Sequence, residues 1–244
     1  MGHEWEQRDE AVVDATVPQV WDAIATGPGI DAWFMGHTAV QPGPTGSLST
    51  DVGGFEMRST VTAWEPPHRL AYRGDGPGER FIAYEILVEG RDQATTVVRV
   101  VANGFLPGDD WEAEFDAMSK GGRMYFRTLV AYLTHFAGRS GPIVNLSGPP
   151  VDDWETAWPA LRSALGIGAP PEVGDPVHFA VADFGPVDGV VDFVNAEAIG
   201  VRTDNGLFRF IKGFFGSWVL GHHLFHPADE AAITDAWRAW LAAL

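Results

Sequence analysis

The chain has 244 residues, a net charge of -17, 45% hydrophobic residues and no cysteine. That length fits one large or two modest domains, and the charge, -9 up to Arg139 and -8 from Ser140 on, repels phosphate backbones and disfavours nucleic acid and anionic membranes as partners. Disulfides and thiolate metal sites are excluded for want of cysteine, and a membrane span because no run approaches the ~18 continuous apolar residues it needs.

The opening MGHEWEQRDE is acidic and has no apolar signal core, so a cytoplasmic location is expected. Glu10 to Val17 alternates weakly up to Pro18 and predicts a first strand. PQVWDAIA, residues 18–25, predicts a short helix with proline at its first position. Gly27-Pro28-Gly29 should break it, and residues 30–34 make another helical turn. Residues 37–40 and 46–52 read as short strands around a Pro/Gly turn. A meander follows Gly53-Gly54, with strands over 55–64, 69–73, 81–89 and 95–102. Ile82, Tyr84, Ile86 and Val88 share one face, as do Val98, Val100 and Ala102.

The stretch 109–136 then predicts one long amphipathic helix. Trp111, Phe115, Met118, Gly122, Tyr125, Leu129, Tyr132 or Leu133, and Phe136 recur every three or four residues on one stripe. Asp109 and Asp110 stand at the N-cap and first turn, and Gly138 follows the end. A sheet of this length curls around such a helix, and a cavity between them is the natural place for a small apolar ligand.

The runs VWDAIATGPGIDAWF, GGFEMRSTVTAWEPPHRLAYR and TTVVRVVANGFLPGDDWE, with the long helix after them, resemble the START-like, helix-grip (SRPBCC) superfamily. Within it they are similar to proteins related to the activator of Hsp90 ATPase and to polyketide-cyclase-type domains. The resemblance spans about 8–138 and implies an α+β fold, an antiparallel sheet curled around a C-terminal helix.

The remaining chain predicts a smaller related domain. Residues 139–150, GRSGPIVNLSGPP from Gly138 on, are rich in Gly, Pro and Ser and read as a linker between domains at 1–138 and 151–244. A helix over 151–165 contains Pro159, which should kink it or delay its start. Strands follow at 177–183, 189–195, 198–203, 207–212 and 218–225. Asn205-Gly206 suits a tight hairpin with positive φ. A terminal helix over 229–244 turns Ile233, Trp237, Trp240, Leu241 and Leu244 inward. A constant shift of 129 residues carries Phe55 onto Phe184, Trp64 onto Phe193, Leu70 onto Ile199 and Arg73 onto Arg202, which predicts a reduced second copy of the first domain.

No motif forces a catalytic reading. Gly216-Ser217 lacks the flanks of a nucleophile elbow. His222 and His226 would share a strand face roughly 13 Å apart, too far for one metal ion. No metal or cofactor is expected. Arg58, Arg73, Arg99, Arg202 and Arg209 read mostly as solvated strand positions. Trp64, Tyr72, Tyr84, Trp111, Phe115, Met118 and Tyr125 are the ligand-binding candidates, the tyrosines and tryptophans for their apolar bodies with polar tips; ordinary core packing is the competing reading for them. The expected function is binding of a small hydrophobic molecule between sheet and helix, without defined catalysis. A cyclase- or hydrolase-like enzyme would need convergent polar groups in that pocket, with Tyr72, Tyr84, His37 and Arg58 as candidates. An Hsp90-activator-like interaction module is the third reading.

Overall fold

The structure, a computed structural model, describes residues 2–92, 94–108, 111–168, 170–213 and 216–244, with the backbone alone at Ala113. The chain divides into two compact units, Met1–Arg139 and Ser140–Leu244. No described helix is long and apolar enough to cross a membrane.

The first unit runs β1 (His3–Val13), α1 (Val17–Ala25), α2 (Gly27–Asp31), β2 (His37–Gln41), β3 (Ser47–Val52), β4 (Phe55–Glu65), β5 (Arg69–Asp75), β6 (Phe81–Gly90), β7 (Thr96–Leu106) and α3 (Trp111–His135). Its seven strands order as β1-β7-β6-β5-β4-β3-β2, so the first strand closes onto the last and the rest is a meander. This is the helix-grip arrangement. β1 begins well before the expected strand at Glu10. Its alternation is carried by Trp5, Gln7, Asp9, Ala11 and Val13 against exposed Glu4, Glu6, Arg8 and Glu10, a pattern masked by polar residues on both faces. Thr16 caps α1 with a reciprocal capping box to Gln19. As expected, α1 ends before Gly27-Pro28-Gly29, with Thr26 extended as its C-cap. Thr26 accepts from the Gly29 amide and Pro28 falls in the first turn, so these residues open α2.

The outer face of the sheet is laced with ion pairs. Arg99 bridges Glu10 and Glu89, and Arg69 bridges Glu65 and Glu85. The inner face is apolar and meets α3. The expected N-cap residues Asp109 and Asp110 lie outside the described residues. The helix buries its C-terminal half, with Met124, Leu129, Tyr132, Leu133 and the following Phe136 each at most 3% exposed. Trp111, Phe115, Met118 and Tyr125, also on the stripe, remain partly accessible.

The second unit repeats the winding with fewer parts. β8 (Ile143–Pro150), α4 (Trp154–Ala164), β9 (Pro176–Val181), β10 (Gly185–Val194), β11 (Ala198–Arg202), β12 (Gly206–Lys212), β13 (Ser217–Leu224) and α5 (Glu230–Ala242) give the order β8-β13-β12-β11-β10-β9. Again the first strand pairs with the last. The segment expected as a linker over 139–150 therefore contains a strand, β8, whose partner β13 supplies the hydrogen bonds that its Gly/Pro-rich composition hides. Both meanders carry a bulge at one place: between Val61 and Ala63 opposite β5, and between Val191 and Phe193 opposite β11. Trp64 faces Leu70, whereas Val194 faces Ile199, so the second hairpin is one residue shorter. The shift of 129 holds for β5 onto β11 and slips by one on β4, which corrects the pairings of Phe55 with Phe184 and Trp64 with Phe193.

Other details differ from expectation. Thr203 and Gly206 close the β11–β12 turn by a 3.0 Å backbone bond, and neither Asn205 nor Gly206 is among the residues of positive φ. Pro159 lies inside α4 as expected, while the helix begins at Trp154 rather than at 151. Leu244 is 36% exposed rather than inward. Arg209 is no solvated residue: it is 1% exposed and grips Asp192 through two bonds of 3.0 and 2.8 Å. Gly200 makes room, because a Cβ there would lie 2.6 Å from the Asp192 carboxylate. His222 packs into the core edge-on to Trp237 at 4.2 Å, and His226 lies beyond the end of β13.

Candidate functional site

The register of the first sheet sets out the inner face in rows. Trp5, Gly104, Ile82 and Gly74 form the first; Gln7, Ala102, Tyr84, Tyr72 and Val61 the second; Asp9, Val100, Ile86, Leu70 and Trp64 the third. Residues directly opposite in an antiparallel pair share a face, so each row lies on the inner face, whose β1 and β7 side meets α3. The helix lies along β1. Trp111 stacks on His3 at 3.8 Å, Phe115 meets Trp5 at 5.6 Å, and the Gly122 backbone passes the Gln7 amide. Arg80 ties its first turn through Glu114. Tyr125 reaches Phe34 at 4.7 Å.

Burial is graded along the rows. Ile86, Leu70, Val88 and Val98 are sealed at 3% exposure or less. Gln7, Ala102, Tyr84 and Tyr72 face inward and yet keep accessible surface. An inward side chain that water can still reach marks open space. The row of Gln7, Ala102, Tyr84 and Tyr72 is thereby set apart from the sealed positions Ile86, Leu70, Val88 and Val98.

The tyrosines sharpen this picture. Tyr72 and Tyr84 are direct cross-strand partners with ring centroids 5.3 Å apart. Burial pushes both phenols up from their ordinary pKa, and Tyr84 adds to the effect on Tyr72. Neither hydroxyl has a hydrogen-bond partner among the described residues, and neither is closed off from water. Both phenols are therefore neutral at neutral pH. Across the small Ala102 stands a polar pair on β1: Gln7 Nε2 donates to Asp9 Oδ2 at 2.7 Å.

The expected candidates therefore separate. Tyr72 and Tyr84 pack together on the inner face of the sheet, and Trp111 and Phe115 stand together in the first turns of α3, 6.4 Å apart. Tyr125 sits on the flank with Phe34. Met118 is half-buried on the helix. Trp64 is turned toward α1, edge-on to Trp21 at 5.4 Å. The enzyme candidates His37 and Arg58 are engaged elsewhere: His37 pairs with Asp31 at 3.1 Å, and Arg58 with Glu56 at 2.7 Å on the exposed surface. Gln7 and Asp9 were missed. Their signal was the alternation of β1, where a polar residue at an inward position is the anomaly worth reading. Among the described residues no cluster could hold a metal ion.

The second unit carries an open apolar groove of about 390 Å³ lined by Val151, Ala157, Trp218 and Leu241. The polar side chains on its rim include Asp153, already engaged in capping α4. The convergent polar groups are in the first unit.

Residues 5–133 match the family described as polyketide cyclase / dehydrase and lipid transport. The chain belongs to this family. Membership is carried by just over half the chain, nearly all of the first unit's sheet and most of α3. It reaches the superfamily shared with the Hsp90 activators but does not place the chain among them. No curated protein matches the sequence. Among solved structures, the chain is similar to DynU16 of the dynemicin biosynthetic locus at 22% identity, covering 98% of this chain and 96% of that one, with a TM-score of 0.44. It is similar to BexL, a di-domain ARO/CYC of the BE-7585A biosynthetic pathway, at 14% identity over 90% of this chain and 84% of that one, with a TM-score of 0.47. Protein MLL2253 of Mesorhizobium loti covers 53% of this chain with 96% of its own length, at 18% identity and a TM-score of 0.47.

Proposed function

We propose that the first unit binds a small hydrophobic molecule in the recess between its sheet and the N-terminal half of α3. One observation carries this: inward-facing Gln7, Ala102, Tyr84 and Tyr72 stay accessible while the rows behind them are sealed. A core built only for stability closes such space, since each void forfeits packing. Family membership, in a group described by cyclisation and lipid transport, supports the same reading. Tyr72, Tyr84, Trp111, Phe115 and Met118 are the proposed lining, joined by Gln7 and Asp9, with Tyr125 on the flank and Trp64 turned toward α1.

The test is native mass spectrometry of the whole chain with a panel of aromatic and aliphatic molecules, with Ala102→Trp as the filled control. Binding lost in the filled variant supports the recess. Binding that survives at full strength places the ligand elsewhere.

A cyclase-like enzyme is the second reading. It is favoured by convergent polar groups, the Tyr72–Tyr84 hydroxyls on one side and the Gln7–Asp9 pair on the other. Its test is turnover of a bound polyketone, with Asp9→Asn and Tyr84→Phe as variants. A rate unchanged by both removes it.

A further inference from the structure

We propose that the groove of the second unit is a binding site for small organic cations, an ammonium group on an apolar body, with Asp152 as its acceptor and Trp218 as its floor. The site is independent of whatever the first unit binds.

The groove runs between the first turns of α4 and the last turn of α5, over the end of β8. Its volume of about 390 Å³ falls in the range that holds a small molecule. Val151, Ala157, Ala160 and Leu241 give it apolar surface, and Pro149 and Pro150 bring carbonyls without N–H groups.

Its charged side chains are all acceptors. Asp153 is already engaged: it caps α4 through the Glu155 amide and accepts from the Thr156 hydroxyl at 2.6 Å. Asp152 is exposed and has no partner among the described residues. Among those residues no lysine or arginine lines the groove. Arg238, which lines the adjoining depression, is paired with Asp235. A cation in the groove therefore meets a free carboxylate and no like charge. An anion meets Asp152 in a half of the chain that carries -8.

The floor suits a cation as well. Trp218 is 3% exposed, and the surface it keeps is groove surface. It stacks on Trp158 with ring centroids 5.5 Å apart and meets Trp154 edge-on at 4.7 Å. This cluster already holds one cation, since the Lys212 ammonium lies 5.1 Å from the Trp158 ring and 5.6 Å from that of Trp154. Indole faces attract ammonium groups through their quadrupole. The Trp218 indole N–H has no partner among the described residues and is not closed off from water, so an oxygen on the ligand body finds a donor there.

The experiment is calorimetric titration of the full chain at neutral pH with three molecules of similar shape: phenethylamine, phenethyl alcohol and hydrocinnamate. The amine, protonated at this pH, is expected to bind about fivefold more tightly than the alcohol, the size of one exposed ion pair with a ring contact, and hydrocinnamate most weakly. Asp152→Asn should bring the amine to the affinity of the alcohol. Glu172→Gln, at an exposed carboxylate outside the lining, should leave it unchanged. Ala160→Trp should remove binding of both by filling the groove. Asp152 is exposed and the cap of α4 is Asp153, so the Asp152→Asn arm decides even where Ala160→Trp fails to fold. Equal affinity for amine and alcohol, tighter binding of hydrocinnamate, or an amine preference that survives Asp152→Asn overturns the proposal. An equal loss in Glu172→Gln also overturns it, by showing diffuse attraction to an acidic surface. Binding of none of the three means that the groove is no site for this class.

Discussion

The Arg209–Asp192 pair shows how much one buried residue can decide. Both groups are largely removed from water, with side-chain exposures of 1% and 12%, and two bonds hold them in a fork. Removing one partner of such a pair costs about 3–5 kcal/mol because a buried charge is left behind, whereas replacing both by apolar residues can be nearly neutral. Arg209→Met should therefore destabilise the second unit by that amount in urea denaturation. Arg209→Met with Asp192→Leu should recover most of the loss. Equal losses in the single and double variants would mean that the guanidinium stem, not its charge, holds this position.

His222 makes a second residue-scale prediction. It is fully buried between Phe208, Phe210 and Trp237, and its Nδ1 accepts from the Arg209 amide at 3.2 Å. Desolvation first, and then neighbouring His223, hold its pKa well below the ordinary histidine value. The folded protein thus binds fewer protons here than the unfolded chain. Its contribution is fully present above the unfolded pKa of about 6.5 and is lost as pH falls below that, at up to about 1.4 kcal/mol per pH unit. A stability profile from pH 8 to pH 5 should show this acid slope, and His222→Asn, which keeps an acceptor without a titrating ring, should flatten it.

At the scale of elements, α3 is two helices in character. Its C-terminal half is core: truncating Leu133, 1% exposed, should cost about 2–5 kcal/mol. Its N-terminal half is an accessible wall, and the two halves meet at Gly121-Gly122. A Cβ at Gly121 would touch nothing within 4 Å. Gly121→Ala should therefore stabilise the protein by about 0.5–1 kcal/mol through helix propensity and a less flexible unfolded chain. Hydrogen exchange should be faster over 111–121 than over 124–135 if burial sets local stability. The stripe along α3 was legible because a 3.6-residue period survives from Trp111 to Phe136. Its division into halves was not, because periodicity records direction and not depth. β1 was misjudged for the opposite reason: its inward Gln7 and Asp9 interrupt the hydrophobic alternation. β8 was illegible because an edge strand of Gly, Pro and Ser is defined by its partner, not by its own propensity.

The molecule as a whole carries two meanders of one winding, and the match was visible where turn lengths agree. Leu70 and Arg73 find Ile199 and Arg202 at a shift of 129, while the shorter hairpin displaces the strand before them, which a constant shift cannot express. The charge acts at this scale too. There are 33 acidic and 16 basic residues, so carboxylates remain in excess even when each cation is paired. Surface pairs such as Arg99 with Glu10 and Glu89, or Arg69 with Glu65 and Glu85, contribute about 0–1 kcal/mol each and weaken with salt. Repulsion among the excess carboxylates acts across the molecule and is screened as the Debye length falls from about 30 Å at 0.01 M to about 8 Å at 0.15 M. The two effects oppose each other, and the excess makes repulsion the larger. The melting temperature should accordingly rise between low-salt buffer and physiological ionic strength, equally in sodium chloride and choline chloride because screening is indifferent to the cation. A rise confined to sodium would indicate a specific ion site, and a fall would show that the ion-pair lattice on the outer face outweighs the net charge.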